Sequence, residues 1–209
     1  MLFRSIYFFS VFIFLLITGS IILTICTKEE VTLWVNAHYF SFLDMLVLTV
    51  NEMGRAWFCV VFIFVILIWK GWRTALNGAF CISGAVLVTT ILKHLVFPGK
   101  PRPTLHFEGI ADLRLLENVV QLQTETFPSG HTTAAFAMAT FLALIISGKK
   151  FHWFIPIIAV LVGYSRIYLS QHFITDVYAG MTIGVVFTTI IFLTMQKIEK
   201  NLITPTIKH

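Results

Sequence analysis

Apolar residues dominate long stretches of this chain, and short polar segments separate them. A helix needs about 20 apolar residues to cross a bilayer, within a range of about 17 to 25. By this criterion the pattern predicts six spans, at about residues 5–27, 53–69, 74–92, 131–148, 152–168 and 174–195. We therefore expect an all-α protein, a six-span transmembrane helix bundle that forms a single integral-membrane domain over residues 1–209.

The first apolar stretch follows Arg4 and carries no charge from Ser5 to Thr27. A basic residue before an apolar segment is also typical of a secretory signal peptide. This stretch is longer than the apolar part of such a peptide, and no small-x-small cleavage site follows it. The sequence therefore predicts an uncleaved first span.

Two stretches fall outside the predicted spans. Residues 30–52 mix aromatic and aliphatic side chains with polar ones, a pattern typical of an interfacial amphipathic helix lying in the membrane surface. Residues 94–130 are polar and contain four of the six prolines of the chain. Prolines at this density indicate a long loop rather than another helix.

The distribution of charge predicts the orientation. Only 12% of the residues are charged, against about 25% in an ordinary soluble domain. The net charge of +5 is therefore interpreted as a topology signal and not as a nucleic-acid-binding surface. Nine of the ten acidic residues fall on one predicted side of the membrane, whereas the other side carries Arg4, Lys70, Arg73, Lys149, Lys150, Lys197, Lys200 and Lys208. Since basic loops stay in the cytoplasm, both termini are predicted to be cytoplasmic and the long loop periplasmic.

Three short polar clusters lie at ends of predicted spans, all on the predicted periplasmic face. Polar groups are costly near lipid, so a convergent set of them indicates a functional site. The clusters are Lys93 with Arg102-Pro103, then Pro128-Ser129-Gly130-His131, then Ser165-Arg166 with His172 and Asp176.

The residue types in these clusters suit binding and transfer of a phosphoryl group. The planar fork of Arg102 can bind an oxyanion through two hydrogen bonds. Gly130 lets the backbone N–H groups of a helix start approach an anion. His172 and Asp176 are four residues apart, so a carboxylate can fix one imidazole nitrogen and leave the other as a nucleophile. Each cluster alone also fits a simpler role, such as an interfacial anchor, a helix cap at Ser129 or a structural hydrogen bond.

In combination, the clusters resemble the signature of the type 2 phosphatidic acid phosphatase superfamily. That signature has Lys, six residues and Arg-Pro, then Pro-Ser-Gly-His, then Ser-Arg, five residues, His, three residues and Asp. Here "FPSGH" ends at His131 and "SRIYLSQHFITD" ends at Asp176. The first motif departs from the pattern, because eight residues separate Lys93 from Arg102. Either the loop accommodates two extra residues, or Lys93 is not the ligand and Lys100 is the alternative.

The resemblance also implies a role for each matching residue. His172 would attack phosphorus and form a phosphohistidine, Asp176 would orient it, and His131 would protonate the leaving oxygen. The phosphoryl oxygens would be held by Lys93, Arg102, Ser129, Gly130 and Arg166. Fixed cations can stabilise the charge of phosphoryl transfer, as Mg²⁺ does in other enzymes. Neither the carboxylates nor the three scattered cysteines have the spacing of metal ligands. We therefore expect a metal-independent hydrolase that needs no cofactor.

The function implied by the resemblance is that of a multi-pass phosphatase of the bacterial inner membrane with a periplasmic active site. Its substrate would be a phospholipid, a polyprenyl diphosphate or a lipid A phosphate, and the sequence does not rank these. Two alternatives stay open: a lipid phosphotransferase that uses the same intermediate, and a non-catalytic lipid-phosphate binder or transporter. A transporter typically has polar groups near the middle of interrupted spans, whereas the ionisable residues here lie at span ends.

Overall fold

The computed structural model describes residues 5–117, 119–146 and 152–203, with side chains as far as residue 201. Over these ranges the chain is helical and contains no strand, so the predicted all-α class is confirmed for them. The helices are α1 (Ile6–Ile25), α2 (Lys28–Ala37), α3 (Ser41–Glu52), α4 (Ala56–Lys70), α5 (Trp72–Ile91), α6 (Pro103–His106), α7 (Gly130–Ile145), α8 (Ile155–Tyr168) and α9 (Ile174–Ile203), with a π-helical turn at Leu92–Val96 after α5.

Among the described residues, three helical segments are long and apolar enough to cross a membrane, and they match the first, third and sixth predicted spans. They are Ile6–Ile25, Trp72–Val96 and Ile174–Asn201. Helices α3 and α4 meet this criterion only as a pair, and the pair is bent by 63°. Helices α7 and α8 are apolar but have only 16 and 14 residues. The count of six spans therefore stays a prediction. Outside the described ranges lie the last two residues of the fourth predicted span, 147–148, together with Arg4, Lys149, Lys150 and Lys208.

The predicted amphipathic helix at 30–52 is two helices, α2 and α3, separated at residues 38–40. Both helices contact one residue of the long loop. Asn36 of α2 accepts the backbone N–H of Arg114, and Asp44 of α3 accepts from both terminal guanidinium nitrogens at 3.1 and 2.5 Å. In a continuous helix Asn36 and Asp44 would lie about 12 Å apart along the axis, so the break brings both to Arg114.

Helix α7 lies at the centre of the bundle, since 12 of its 16 residues are buried. Helix α9 packs directly on it through two glycines four residues apart. A Cβ atom at Gly180 would lie 2.6 Å from the carbonyl oxygen of Ser129, and one at Gly184 would lie 2.7 Å from that of Thr133. Such small-residue spacing lets two helix backbones touch in a membrane. The contact holds the start of α7 against the start of α9, where two of the three polar clusters lie.

Candidate active site

A buried imidazole–carboxylate pair lies at the turn from α8 into α9. His172 and Asp176 are 1% and 2% exposed, and Nδ1 of His172 is 3.3 Å from Oδ2 of Asp176. The same oxygen accepts the backbone N–H of Phe173 at 2.9 Å and the hydroxyl of Thr126. A carboxylate held in this way favours the proton on Nδ1 and leaves the lone pair on Nε2.

Burial lowers the pKa of His172 to about 3, although its hydrogen bond with Asp176 opposes the shift. We therefore expect the imidazole to stay neutral from pH 8 down to about pH 5. The unfolded chain binds this proton near the ordinary value of 6.5, so folding stability falls as the pH drops from 6.5 towards 3. NMR of ¹⁵N-histidine-labelled protein measures the titration directly, with His172→Gln to assign the signal. A midpoint near 6.5 would contradict the expected burial of the neutral ring.

Arg102 stands beside the free nitrogen of this imidazole. Its side chain is buried, and Nη1 lies 3.4 Å from Nε2 of His172. Hydrogen bonds to backbone carbonyls fix the position of this side chain. Its Nε donates to the carbonyl of Thr124 at 2.8 Å, and the same Nη1 donates to the carbonyl of Gln171 at 2.9 Å. Burial lowers the pKa of Arg102, whereas the charge of Asp176 opposes the shift. An arginine starts from so high a pKa that it remains a cation.

Arg166 is a second buried guanidinium, and it retains an unused donor. Its Nη1 donates to Oδ1 of Asn51, and its Nη2 to Oε1 of Gln171 at 3.5 Å. Its Nε is buried and finds no acceptor among the residues that the structure describes. Oε1 of Gln171 also accepts from Arg102 at 3.2 Å, so one amide holds both arginines in place. The free Nε is a donor available to an oxyanion.

The start of α7 adds backbone donors to the same end of the bundle. The hydroxyl of Ser129 caps the helix by accepting from the backbone N–H of Thr132 at 3.5 Å, and it also accepts from the hydroxyl of Thr132 at 2.9 Å. The backbone N–H of Ser129 donates to the carbonyl of Asp176 at 3.0 Å. Over the described ranges, no acceptor is found for the N–H groups of Gly130 and His131. A Cβ atom at Gly130 would meet nothing within 4 Å, so the side of Gly130 that a side chain would occupy is open. Such a helix start favours an anion.

The structure separates the two lysines of the first motif. Lys93 lies in the π-helical turn and is half-buried. Its side chain is close enough to Arg102 and Asp176 to interact electrostatically with both. Lys100 is exposed, and its Nζ lies 4.8 Å from the centre of the Phe97 ring. A π-helical turn holds an extra residue relative to an α-helical one, so it absorbs part of the irregular spacing before Arg102.

This difference predicts unequal effects of removing each lysine. A cationic contact in a desolvated site is worth about 2–4 kcal/mol at the transition state, or roughly 30- to 1,000-fold in rate. We expect Lys93→Ala to lose turnover in that range, whereas Lys100→Ala keeps turnover within about threefold and loses its small effect in high salt. Steady-state phosphate release at two salt concentrations measures both. Near-normal turnover of Lys93→Ala with a severe loss in Lys100→Ala would reverse the assignment.

His131 and an apolar cleft share a neighbour, the turn between α3 and α4. The ring is partly buried and makes no side-chain hydrogen bond within the described structure. The α3–α4 turn packs against it, since a Cβ atom at Gly54 would lie 2.8 Å from that of His131 and 3.0 Å from Val162. Val162 also lines a cleft of about 420 Å³ between α4, α7 and α8, and every residue that lines the cleft is apolar. An apolar space inside the bundle therefore lies close to His131, whose ring is not among the residues that line it.

All eight residues singled out from the sequence lie at one end of the bundle. Direct contacts link Arg102 to His172, His172 to Asp176, and Asp176 to Ser129. Sequence reasoning missed three residues that position them, namely Asn51, Thr126 and Gln171. Asn51 and Gln171 offered no spacing that would have distinguished them from other polar residues. Thr126, which directly precedes the "FPSGH" segment, had only that proximity as a signal.

Comparison with known proteins gives one family and several relatives. The family model described as PAP2 superfamily matches residues 74–200. A lipid A 4'-phosphatase of Porphyromonas gingivalis is 28% identical over 141 residues, which are 64% of this chain and 59% of that protein. The undecaprenyl-diphosphatase BcrC of Bacillus subtilis is 26% identical over 160 residues, covering 75% of this chain and 77% of that one.

Two crystal structures share the architecture. The structure of LpxE from Aquifex aeolicus superposes with a TM-score of 0.69 at 26% identity, and it covers 78% of this chain and 93% of that one. The PAP2-type phosphatidylglycerolphosphate phosphatase of Bacillus subtilis superposes with a TM-score of 0.66 at 24% identity, with 91% and 96% covered. The second likeness concerns the fold alone.

Proposed function

This chain belongs to the PAP2 superfamily of membrane lipid phosphatases, and we propose that it hydrolyses a lipid phosphate or diphosphate through a phosphohistidine on His172. One observation carries the proposal: Nδ1 of His172 is held by Asp176 while Nε2 faces the guanidinium of Arg102. A phosphoryl group beside Arg102 is therefore placed next to the nucleophilic lone pair.

In the proposed first step, the lone pair of Nε2 forms a bond to phosphorus as the bond to the leaving oxygen breaks. His131 gives a proton to that oxygen, so the product leaves as an alcohol or as a lipid monophosphate. In the second step, water attacks the phosphohistidine, His131 takes a proton from the water, and inorganic phosphate is released. Asp176 stabilises the positive charge on the imidazole of His172 through Nδ1.

The proposed phosphate site carries an excess of positive charge. Three cations, Lys93, Arg102 and Arg166, lie near two carboxylates, Asp176 and Glu125, and Oδ2 of Asp176 already accepts hydrogen bonds. The Nε donor of Arg166 and the N–H groups of Gly130 and His131 are left for the phosphoryl oxygens. Phosphoryl transfer depends mostly on positioning and charge stabilisation, which these groups supply. We therefore expect turnover in the presence of EDTA.

The apolar surroundings support a lipid as the substrate. The apolar cleft that Val162 lines suits a hydrocarbon chain, and α2 and α3 expose the large apolar side chains of Trp34, Phe42 and Met45. The relatives named above act on lipid A and on undecaprenyl diphosphate by their names. We propose lipid A phosphate, polyprenyl diphosphate and phospholipid monophosphates as the substrates to compare.

The experiment that tests the function measures phosphate release by the purified protein from this panel of lipids, in EDTA. Release of inorganic phosphate from at least one lipid is the expected result. Transfer of the phosphate to a lipid or sugar acceptor, found by product analysis, would identify a phosphotransferase. Tight binding with neither product would identify a lipid-phosphate binder.

The proposed orientation places the active site in the periplasm of a bacterial inner membrane. Single cysteines at Gln123, in the loop over the site, and at Asn201, near the end of α9, would report the two faces in a background that lacks Cys26, Cys59 and Cys81. We expect an impermeant thiol reagent to label intact spheroplasts at 123 and not at 201. Lysed spheroplasts serve as the control in which both positions react. Labelling of position 201 alone would show that the orientation is the reverse of the proposed one.

A further inference from the structure

A second polar pocket lies between the helices, away from the candidate active site. Its volume is about 220 Å³. It is enclosed by the end of α4, the start of α5 and the ends of α7 and α9, with Ile145 and Phe192 as its apolar side. The polar residues that line it are Lys70, Arg73, Thr74, Asn77, Gln196 and Glu199.

This pocket is at the opposite end of the same helices. Along α5 and the π-helical turn, 20 residues separate Arg73 from Lys93, which corresponds to about 30 Å. Along α9, Asp176 is in the first turn and Glu199 is near the end. A distance of about 30 Å is the thickness of the hydrocarbon core of a bilayer. The pocket therefore faces the headgroups of the other leaflet.

The pocket contains two cations, Lys70 and Arg73, and a side-chain oxygen of Asn77 that accepts no hydrogen bond from the described residues. Nζ of Lys70 lies 4.2 Å from the centre of the Trp69 ring, and the guanidinium carbon of Arg73 lies 5.5 Å from the centre of the Trp72 ring. Neither cation forms an ion pair with a residue of the described ranges. Oδ1 of Asn77 is buried and has no donor within the same ranges. Burying an amide oxygen without a hydrogen bond is unfavourable, so a ligand that donates to it would be stabilised.

We propose that this pocket binds the headgroup of a phospholipid whose phosphodiester is followed by an O–H or N–H donor. Lys70 and Arg73 hold the phosphodiester oxygens, and the donor group of the ligand meets Asn77 and Glu199. Basic pockets between membrane helices are typical headgroup sites, and the buried acceptor adds selectivity. Phosphatidylglycerol and phosphatidylethanolamine fit this chemistry, whereas phosphatidylcholine has no donor. The site is independent of the reaction proposed above.

The test compares these three lipids on the full-length protein in detergent, by thermal unfolding and by lipid retention in native mass spectrometry. We expect phosphatidylglycerol and phosphatidylethanolamine to raise the unfolding temperature and to be retained, and phosphatidylcholine to do neither. Arg73→Ala should weaken retention about tenfold, as expected for the loss of a charge-assisted hydrogen bond. Lys200→Ala removes a cation near the same end of α9 but outside the pocket, and it should leave retention unchanged.

Asn77→Leu separates a ligand contact from a role in the fold. Without lipid, this variant should unfold at the parent temperature or above it, because an unsatisfied acceptor has been removed. With lipid, it should lose most of the stabilisation. Equal stabilisation by phosphatidylcholine, or by inorganic phosphate alone, would overturn the proposal, as would equal losses in Arg73→Ala and Lys200→Ala.

Discussion

Replacing His172 by alanine is expected to abolish turnover, with a loss of at least about 10⁴-fold, because removal of a covalent nucleophile leaves only binding and charge stabilisation. The neighbouring Asp176 cannot replace it, since its Oδ2 is held by the hydroxyl of Thr126 and the N–H of Phe173. Phosphate release from the preferred lipid measures the loss. Acid quench after brief exposure to ³²P-labelled substrate should trap an acid-labile phosphoprotein in the parent and none in the variant.

His131→Ala is the matched control, because it removes the second histidine of the site and keeps the nucleophile. With a substrate that has a good leaving group, this variant should still form the phosphoprotein, since a general acid then matters little. With a lipid alkoxide as leaving group, formation should fall by about 10²-fold or more. A labelled phosphoprotein in His172→Ala would show that another residue is the nucleophile. His172→Gln keeps the polarity of the site and guards against a simple folding defect.

Arg166→Lys should reduce kcat/KM by about 100- to 1,000-fold, although it preserves the positive charge. Lysine carries its three N–H donors on one nitrogen, so it cannot reach Asn51 and Gln171 and also place a donor where Nε of Arg166 offers one to the phosphate. Transition-state donors act on kcat more than on KM, so the loss should appear mainly in kcat. Steady-state kinetics in defined micelles separates the two parameters.

Asn51→Ala tests whether the hydrogen bond to Asn51 positions Arg166. It leaves Arg166 in place but removes the acceptor that fixes Nη1, so we expect a smaller loss, of about 10-fold. Combining both substitutions should cost less than the product of the single effects, because both act through one guanidinium. Independent, multiplicative losses would separate Asn51 from the positioning of Arg166.

The location of the candidate site could be predicted from the sequence because its residues form short local patterns. His172 and Asp176 are one helical turn apart, and Gly130-His131 opens an apolar helix, so each pattern reports its own geometry. That these patterns meet at one end of the bundle is confirmed by the contacts of Arg102 and Ser129. Their catalytic roles stay predictions.

The supporting contacts could not be predicted, because they join residues far apart in the chain. Asn51 is 115 positions from Arg166, and an asparagine at the end of an amphipathic segment has many ordinary roles. No proline or glycine marks the break between α2 and α3, and the contacts that link the two helices come from Arg114 of the distant loop. Gly180 and Gly184 have the four-residue spacing that is typical of close helix packing, but the sequence does not show that α7 is the helix that packs against them.

Two contacts of the site have a consequence for biosynthesis. The N–H of Ser129 donates to the carbonyl of Asp176, and the side-chain amide of Gln171 accepts from both Arg102 and Arg166. The ribosome makes the chain from its N-terminus, so the segment from Gln171 to Gly184 emerges after every other element of the site. A nascent chain that already contains Arg102 and Ser129 lacks both the proposed nucleophile, His172, and the helix α9 that packs against the start of α7. If the proposed function is correct, the protein is inactive during its own insertion, and it becomes able to act on surrounding lipids only when α9 is in place.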